Sequence, residues 1–338
     1  MKVLVTGASG FIGRALCRHL LRHGWSVRAA TRLAPAATAI PAGAEVVHIA
    51  AVDGGTDWSE ALAGVDAVVH LAARVHVMHE SEADPLAAFR SVNADGTNHL
   101  AVMAAQAGAR RFVYVSSIKV NGEQTTRLPF TEADAPRPSD AYGISKWEAE
   151  QALWQTASQT GLEVVVVRPP LVYGPDAPGN FNRLLRFIRQ GVPLPLSSIR
   201  NQRSFMYVEN LCDAVRVCLQ HPAAAGRTFL LSDGEDVSTP ELIRLLSGSL
   251  GRRTRMFPFP PSLLQAAASL LDRKEEATRL LGSLCVNSSA IRQALGWSPP
   301  YSMREALRDT AREYLASRSE RRAEPVAPPA NVHGAGSR

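Results

Sequence analysis

The chain has 338 residues, longer than one average domain, and two lobes are expected. Its formal net charge of +6 is carried almost wholly by scattered arginines, since only Lys2, Lys119, Lys146 and Lys274 are lysines, and there is no long basic run. That pattern speaks against nucleic acid as a partner and suits a small anionic substrate.

Other classes fall away as readily. Cys17, Cys212, Cys218 and Cys285 show no C-x-x-C spacing, so neither a disulfide framework nor a zinc site is expected, and a reducing cytoplasmic setting is. The first residues already read as a strand leading into a turn, and no signal peptide is expected. No apolar stretch suffices for an integral membrane segment; residues 263–271 come nearest but are short and include Gln265 and Ser269.

In chain order, the first half alternates strand-like and helix-like segments. Unbroken apolar runs at 2–5, 26–30, 46–51, 67–71, 111–115 and 162–167 suit strands covered on both faces. Helical stretches lie at 12–23, 85–107 and 142–160, and Gly24, Gly108 and Gly161 stand where left-handed helix caps belong. This predicts an α/β fold: a Rossmann-type doubly wound parallel sheet. After Pro169 the texture turns Pro- and Gly-rich to residue 195. Shorter elements follow: strands at 205–207 and 228–231, and helices at 241–250, 262–271 and 303–316. Thr239-Pro240-Glu241 reads as an N-cap followed by proline at the first helical position. The expected organisation is a dinucleotide-binding domain over 1–170, rejoined by about 203–232, then a smaller substrate-binding lobe over 171–316. A disordered tail is expected over 317–338.

The first strand runs into Thr6-Gly7-Ala8-Ser9-Gly10-Phe11-Ile12-Gly13, where a helix begins. Glycines in a strand–turn–helix context permit close approach of a pyrophosphate to free helix N–H groups, so this loop is a cofactor site. The second strand ends Ala30-Thr31-Arg32 without the acid that would accept from an NAD ribose. Arg32 therefore favours NADP(H) over NAD(H), with a solvated loop arginine as the plainer alternative.

Tyr142 and Lys146 lie four apart at the start of a helix and share a face. An ammonium beside a phenol favours phenolate and would lower the tyrosine toward neutrality, making Tyr142 a proton donor to a carbonyl or a base toward an alcohol. His70, His76 and His79 lack a convergent acid or cysteine set, and no metal is expected there.

The glycine loop, the Tyr-x-x-x-Lys pair, Val115-Ser116-Ser117 and Arg168-Pro169-Pro170-Leu171-Val172-Tyr173-Gly174-Pro175 together resemble the extended short-chain dehydrogenase/reductases, a family of nucleotide-sugar epimerases, dehydratases and ketoreductases. The resemblance covers residues 1–316 and includes Asn93-Ala94-Asp95-Gly96-Thr97. It implies that Ser117 hydrogen-bonds the reacting oxygen beside Tyr142 and that Lys146 also holds the nicotinamide ribose. It further implies that Leu71, Ala72, Ala73, Asn93 and Pro169 contact the cofactor. Asn180 and Arg203 match the family's nucleotide-diphosphate contacts, although Ser204 replaces its usual aspartate, and Arg203 also reads as a surface arginine. Lys119 faces the sugar and phosphate or else solvent. The acid that often holds adenine after the third strand has no clear counterpart; Asp53 lies near its place. Relatives pair helices like 85–107 and 142–160 into a homodimer.

Dehydratases of this kind carry an Asp-Glu pair after the serine, where this chain has Ile118-Lys119, so dehydration lacks its catalysts. What remains is C4 keto reduction or C4 epimerisation. Ser116-Ser117-Ile118-Lys119-Val120-Asn121-Gly122-Glu123 is similar to bacterial UDP-sugar 4-ketoreductases. These reduce UDP-4-keto-6-deoxy-N-acetylhexosamines for O-antigen lipopolysaccharide. With Arg32, that similarity favours an NADPH-dependent ketoreductase over a UDP-hexose 4-epimerase holding NAD. A non-catalytic NADP-binding sensor or scaffold is the third reading, disfavoured because Ser117, Tyr142 and Lys146 are all retained.

Overall fold

The computed structural model describes residues 1–32, 40–75, 84–271 and 273–323. The strands are β1 (Lys2–Thr6), β2 (Ser26–Thr31), β3 (Glu45–His48), β4 (Ala67–His70), β5 (Arg111–Val115), β6 (Glu163–Arg168), β7 (Leu171–Tyr173), β8 (Phe205–Tyr207) and β9 (Arg227–Leu230). The helices are α1 (Phe11–Arg22), α2 (Ser59–Leu62), α3 (Pro85–Arg90), α4 (Gly96–Gln106), α5 (Ala141–Thr160) and α6 (Asn180–Gln190) in the first half. They continue with α7 (Val208–Gln220), α8 (Thr239–Ser249), α9 (Pro261–Leu270), α10 (Lys274–Leu281), α11 (Ser289–Leu295) and α12 (Met303–Ala323).

Seven strands form one parallel sheet in the order β3-β2-β1-β4-β5-β6-β9. This is the Rossmann-type architecture. The chain winds outward through β2 and β3, then returns past β1 to begin β4, so the order reverses between β1 and β4. A crevice opens there at the carboxyl ends of the strands. Alternation along each strand feeds two cores. Val3, Val5, Val113 and Val165 pack with Leu16, Leu20, Leu211 and Val215 on the α1–α7 face. Leu4, Val68, Phe112 and Val164 pack with Leu100, Ala104, Ala149 and Leu153 on the α4–α5 face.

β7 and β8 form a separate parallel pair, and β9 returns to β6 as the seventh strand of the main sheet. The helical stretch at 85–107 is real but interrupted. A π-turn over Ser91–Asp95 joins α3 to α4, at the point where Asn93 turns its amide away from the helix to bond elsewhere. The cap of α8 is Ser238, one residue earlier than the sequence suggested. Its Oγ accepts from Glu241 N at 3.3 Å, while Thr239 is buried and bonded to Asn201. Of the expected disordered tail, residues 317–323 belong to α12 and residues 324–338 lie outside the described residues. α12 continues to Ala323, because Arg318 to Ala323 contains good helix formers and neither glycine nor proline.

One buried ion pair fixes the floor of the crevice. Glu150 of α5, with no exposed surface, takes Arg168 of β6 through Nε at 3.0 Å and Nη2 at 2.5 Å. Ser116 Oγ donates to the same carboxylate at 2.5 Å, and Arg168 Nη1 donates to Asn121 Oδ1 at 2.9 Å. Removing one partner of a buried pair leaves the other charge uncompensated. Glu150→Ala should therefore lower the unfolding free energy by about 3–5 kcal/mol in urea titrations; a loss below about 1 kcal/mol would contradict this anchoring role.

Candidate active site

A cleft of about 680 Å³ lies along the crevice. It is walled by the Gly7–Gly13 loop, the end of β2, the segment after β4, the end of β5, the start of α5 and Pro169. Gly7 has φ of 64°, and a Cβ there would stand 2.8 Å from Ala72 N; a Cβ on Gly13 would stand 2.2 Å from Gly7 O. Only glycine lets the turn, α1 and the segment after β4 come this close. Thr6 Oγ1 accepts from both Leu71 N and Ala72 N at 3.2 Å and locks that approach. Gly10 caps α1 without a side-chain bond, and the first turn holds no acid. The amides and positive dipole end of α1 are thus offered to the cleft, where Ser9, Gly10, Phe11, Ile12 and Gly13 line the wall. This fits a dinucleotide pyrophosphate.

Beyond the loop, Ile49, Val52 and Val92 make an apolar wall suited to a nucleobase, which the sequence reading missed. Asp53 does not face it; its Oδ1 accepts from Gly55 N at 2.9 Å and Thr56 Oγ1 at 3.1 Å in a local turn. Arg32 is exposed and lines the cleft, as do Leu71, Ala72, Ala73 and Pro169. Arg74, also in the lining, was not anticipated. Asn93 must be corrected. It is fully buried behind the wall, where Oδ1 accepts from Arg74 N at 2.8 Å and Nδ2 donates to Arg74 O and Ser145 Oγ at 3.0 Å. It braces the cleft against α5 and does not line it.

Ser117, Tyr142 and Lys146 all line the cleft. Ser117 caps the short turn over Ile118–Val120, its Oγ accepting from Lys119 N at 3.2 Å, which fixes its rotamer next to Tyr142. Asp140 caps α5 by accepting from Gly143 N at 2.7 Å and so sets where Tyr142 emerges. Lys146 does not act on Tyr142 as expected. Its Nζ donates to Val115 O at 3.0 Å and sits 4.5 Å from the Tyr114 ring centroid but 5.9 Å from that of Tyr142. Burial, reinforced by Asp140, pushes the Tyr142 hydroxyl up to about 12 against the opposing bond from Ser117. Burial also drops Lys146 to about 7, with Glu150 pulling the other way. Desolvation outweighs the attraction on which the sequence argument relied.

The other proposed substrate residues stand apart. Lys119 is corrected: its ammonium is held by Asp140 and by Glu123 at 2.9 Å, so it does not line the cleft. Asn180 is exposed at the first turn of α6, outside the lining. Arg203 is half-buried in the small lobe, its Nη1 bonded to Gly282 O at 3.0 Å, and it too lies outside the lining. Burial lowers its pKa from the usual arginine range.

His70 is a core residue. Nδ1 bonds Thr6 Oγ1 at 2.7 Å, Nε2 bonds Thr97 Oγ1 at 3.0 Å, and burial drops the ring to about 3. His76 and His79 lie outside the described residues. Among the described residues one metal-type group occurs, His19, His23 and Asp213, between α1 and α7. Asp213 is already taken by Arg216 at 2.7 Å and Trp297 at 2.9 Å. His19 lies between Asp213 and Glu209, which raise its pKa against the effect of burial. No helix among the described residues is long and apolar enough to cross a membrane.

Fold and cleft together define a nicotinamide-dinucleotide-binding enzyme of the Rossmann class. The chain belongs to the NAD dependent epimerase/dehydratase family, whose pattern matches residues 3–231. It is 40% identical to a UDP-glucose 4-epimerase of Vibrio cholerae over 93% of this chain and 95% of that one. It is 29% identical to a farnesyl-quinoline-oxide ketoreductase of Stigmatella aurantiaca over 80% and 79%. A UDP-glucose 4-epimerase of Thermotoga maritima, solved with UDP-glucose, shares the fold with a TM-score of 0.76, 21% identity and coverage of 94% and 100%.

The lysine carries a measurable consequence. Its folded value of about 7 lies below the ordinary 10.5, so between these pH values the unfolded chain holds a proton that the folded chain lacks. Stability gains from this group as pH rises through that window, and the cost is full below pH 7. Lys146→Met should therefore melt several degrees higher than wild type at pH 6, and the gap should narrow by pH 9. A variant no more stable than wild type at pH 6 would contradict the assigned burial cost.

Proposed function

We propose that the protein interconverts the C4 epimers of a UDP-hexose, with a nicotinamide cofactor held along the Gly7–Gly13 loop. The observation that carries this reading is the meeting of Ser117, Tyr142 and Lys146 in one cleft with that loop, with no acidic pair among the described residues that line it. Ile118 is buried and Lys119 is engaged by Asp140 and Glu123, so neither position supplies the acid and base that loss of water requires. The extent of the similarity to the Vibrio cholerae epimerase supports the same reading.

The cofactor, when bound, supplies the hydride acceptor and donor for C4. Tyr142 would accept the C4 hydroxyl proton as the phenolate when C4 is oxidised and return it as the phenol when the ketone is reduced, and its raised pKa favours the returning half. Ser117 donates to the same oxygen and orients it. Lys146, whose pKa burial lowers to about 7, lines the cleft behind the tyrosine. Asn180 and Arg203 are proposed to meet the nucleotide diphosphate from the small lobe, an arginine being suited to paired phosphate oxygens. Assembly into a homodimer through α4 and α5, and work in the cytoplasm, belong to this proposal.

A second reading has its own support. Arg32 at the cleft wall would accommodate a 2′-phosphate, which favours NADPH-dependent reduction of a C4 keto group in surface-polysaccharide synthesis. The two readings separate in one experiment. Purified protein with UDP-glucose and no added reductant should yield UDP-galactose. Conversion absent there, but NADPH consumed on a UDP-4-keto-6-deoxy-hexosamine, would replace epimerisation with reduction. In either assay Tyr142→Phe should lower kcat by about 10²- to 10⁴-fold while nicotinamide binding is retained; full activity in that variant would overturn the assignment.

A further inference from the structure

The small lobe carries a helix, α9, that the described residues leave mostly uncovered. α9 has no buried residue and no charged one over its ten positions. Leu264 and Ala268 rest toward the body, and Leu264 packs on the main core. Leu263, Ala267 and Leu270 recur at i, i+4 and i+7 and form a stripe on another face. Leu263 is 53% exposed, Leu270 88% and Leu271 70%, and Phe257 just upstream is 43% exposed. Contiguous exposed apolar side chains of this kind mark an interaction site.

The charge around the stripe indicates the partner. Residues 251–273 hold four arginines, Arg252, Arg253, Arg255 and Arg273, against one acid, Asp272. All four arginines are exposed. Extending the segment to 276 adds Lys274, Glu275 and Glu276 and leaves a net +2. An uncharged, leucine-bearing helix preceded by three exposed arginines and no acid over residues 251–260, and too short to span a bilayer, is suited to lie in the headgroup region. There the leucines enter the acyl boundary while arginines meet lipid phosphates. A protein partner of matching apolar shape would not by itself call for the three arginines upstream of the helix.

The helix also stands near the chemistry. α9 and α10 pack against each other, and Arg279 of α10 lies close enough to Asp140 to pull its carboxyl down. Asp140 is the cap that positions Tyr142.

We infer that α9 and its flanking arginines form a peripheral docking surface for an anionic lipid bilayer. The test is co-sedimentation of the full chain with vesicles of phosphatidylglycerol and phosphatidylethanolamine, beside vesicles of phosphatidylcholine alone. The protein should partition onto the anionic vesicles at low salt and leave them at high salt. Leu263→Glu with Leu270→Glu, and separately Arg252→Glu with Arg253→Glu, should each weaken partitioning at least tenfold while circular dichroism and turnover stay unchanged. No partitioning by wild type, or partitioning indifferent to these changes, would overturn the proposal. So would sedimentation velocity showing self-association that the leucine variants abolish, without vesicle binding; a second copy would then be the partner of α9.

Discussion

The buried pairing of Glu150 with Arg168 is the constraint on which the arrangement of the cleft depends. Two full charges inside a low-dielectric core tolerate little displacement, because each needs the other and every remaining lone pair or proton needs a partner. Here those partners come from different segments: Ser116 at the end of β5, Asn121 in the turn after it, Arg168 at the end of β6 and Glu150 on α5. Fixing these four in register also fixes their neighbours. Ser117 follows Ser116 directly, and Tyr142, Lys146 and Glu150 recur every four residues along one face of α5. Ser117, Tyr142 and Lys146 are therefore held in place by a structural charge pair set behind the cleft.

The same helix face explains the electrostatics. Burial acts on a phenol and an ammonium in opposite directions, storing the proton on Tyr142 and loosening it on Lys146. Glu150, one turn further along α5, partly offsets the penalty on the lysine. Asp140 acts at the other end of α5: it caps the helix, holds Lys119 and raises Tyr142 further. Lys119, which the sequence left open between substrate and solvent, is tied to the helix start by Asp140 and Glu123.

Much of this was legible in the sequence, for physical reasons. Apolar runs such as Val3–Leu4–Val5 must be strands covered on both sides, and the glycines of the first turn sit where a Cβ would collide with backbone. The Tyr142/Lys146 spacing survives as a shared face. The misses have causes as clear. α6 was hidden by the Pro- and Gly-rich texture around it, although Phe181, Leu185 and Ile188 carry a helical period between Gly179 and Gly191. α7 starts directly after β8 with no loop to announce it. Asn93 and Lys119 were assigned outward-facing roles because a motif position says nothing about which way a side chain turns. The depressed tyrosine was expected from proximity alone, whereas burial depends on the whole fold and cannot be read from a spacing of four.

The central claim is that the cleft performs hydride chemistry at C4 of a nucleotide sugar, and isotope retention tests it most directly. UDP-glucose carrying deuterium at C4 should be converted in ordinary water to UDP-galactose that keeps its deuterium at C4, as read by mass spectrometry and NMR. Loss of the label to solvent would point to proton abstraction at carbon, and with it the assignment of this cleft as a hydride-transfer site would fail.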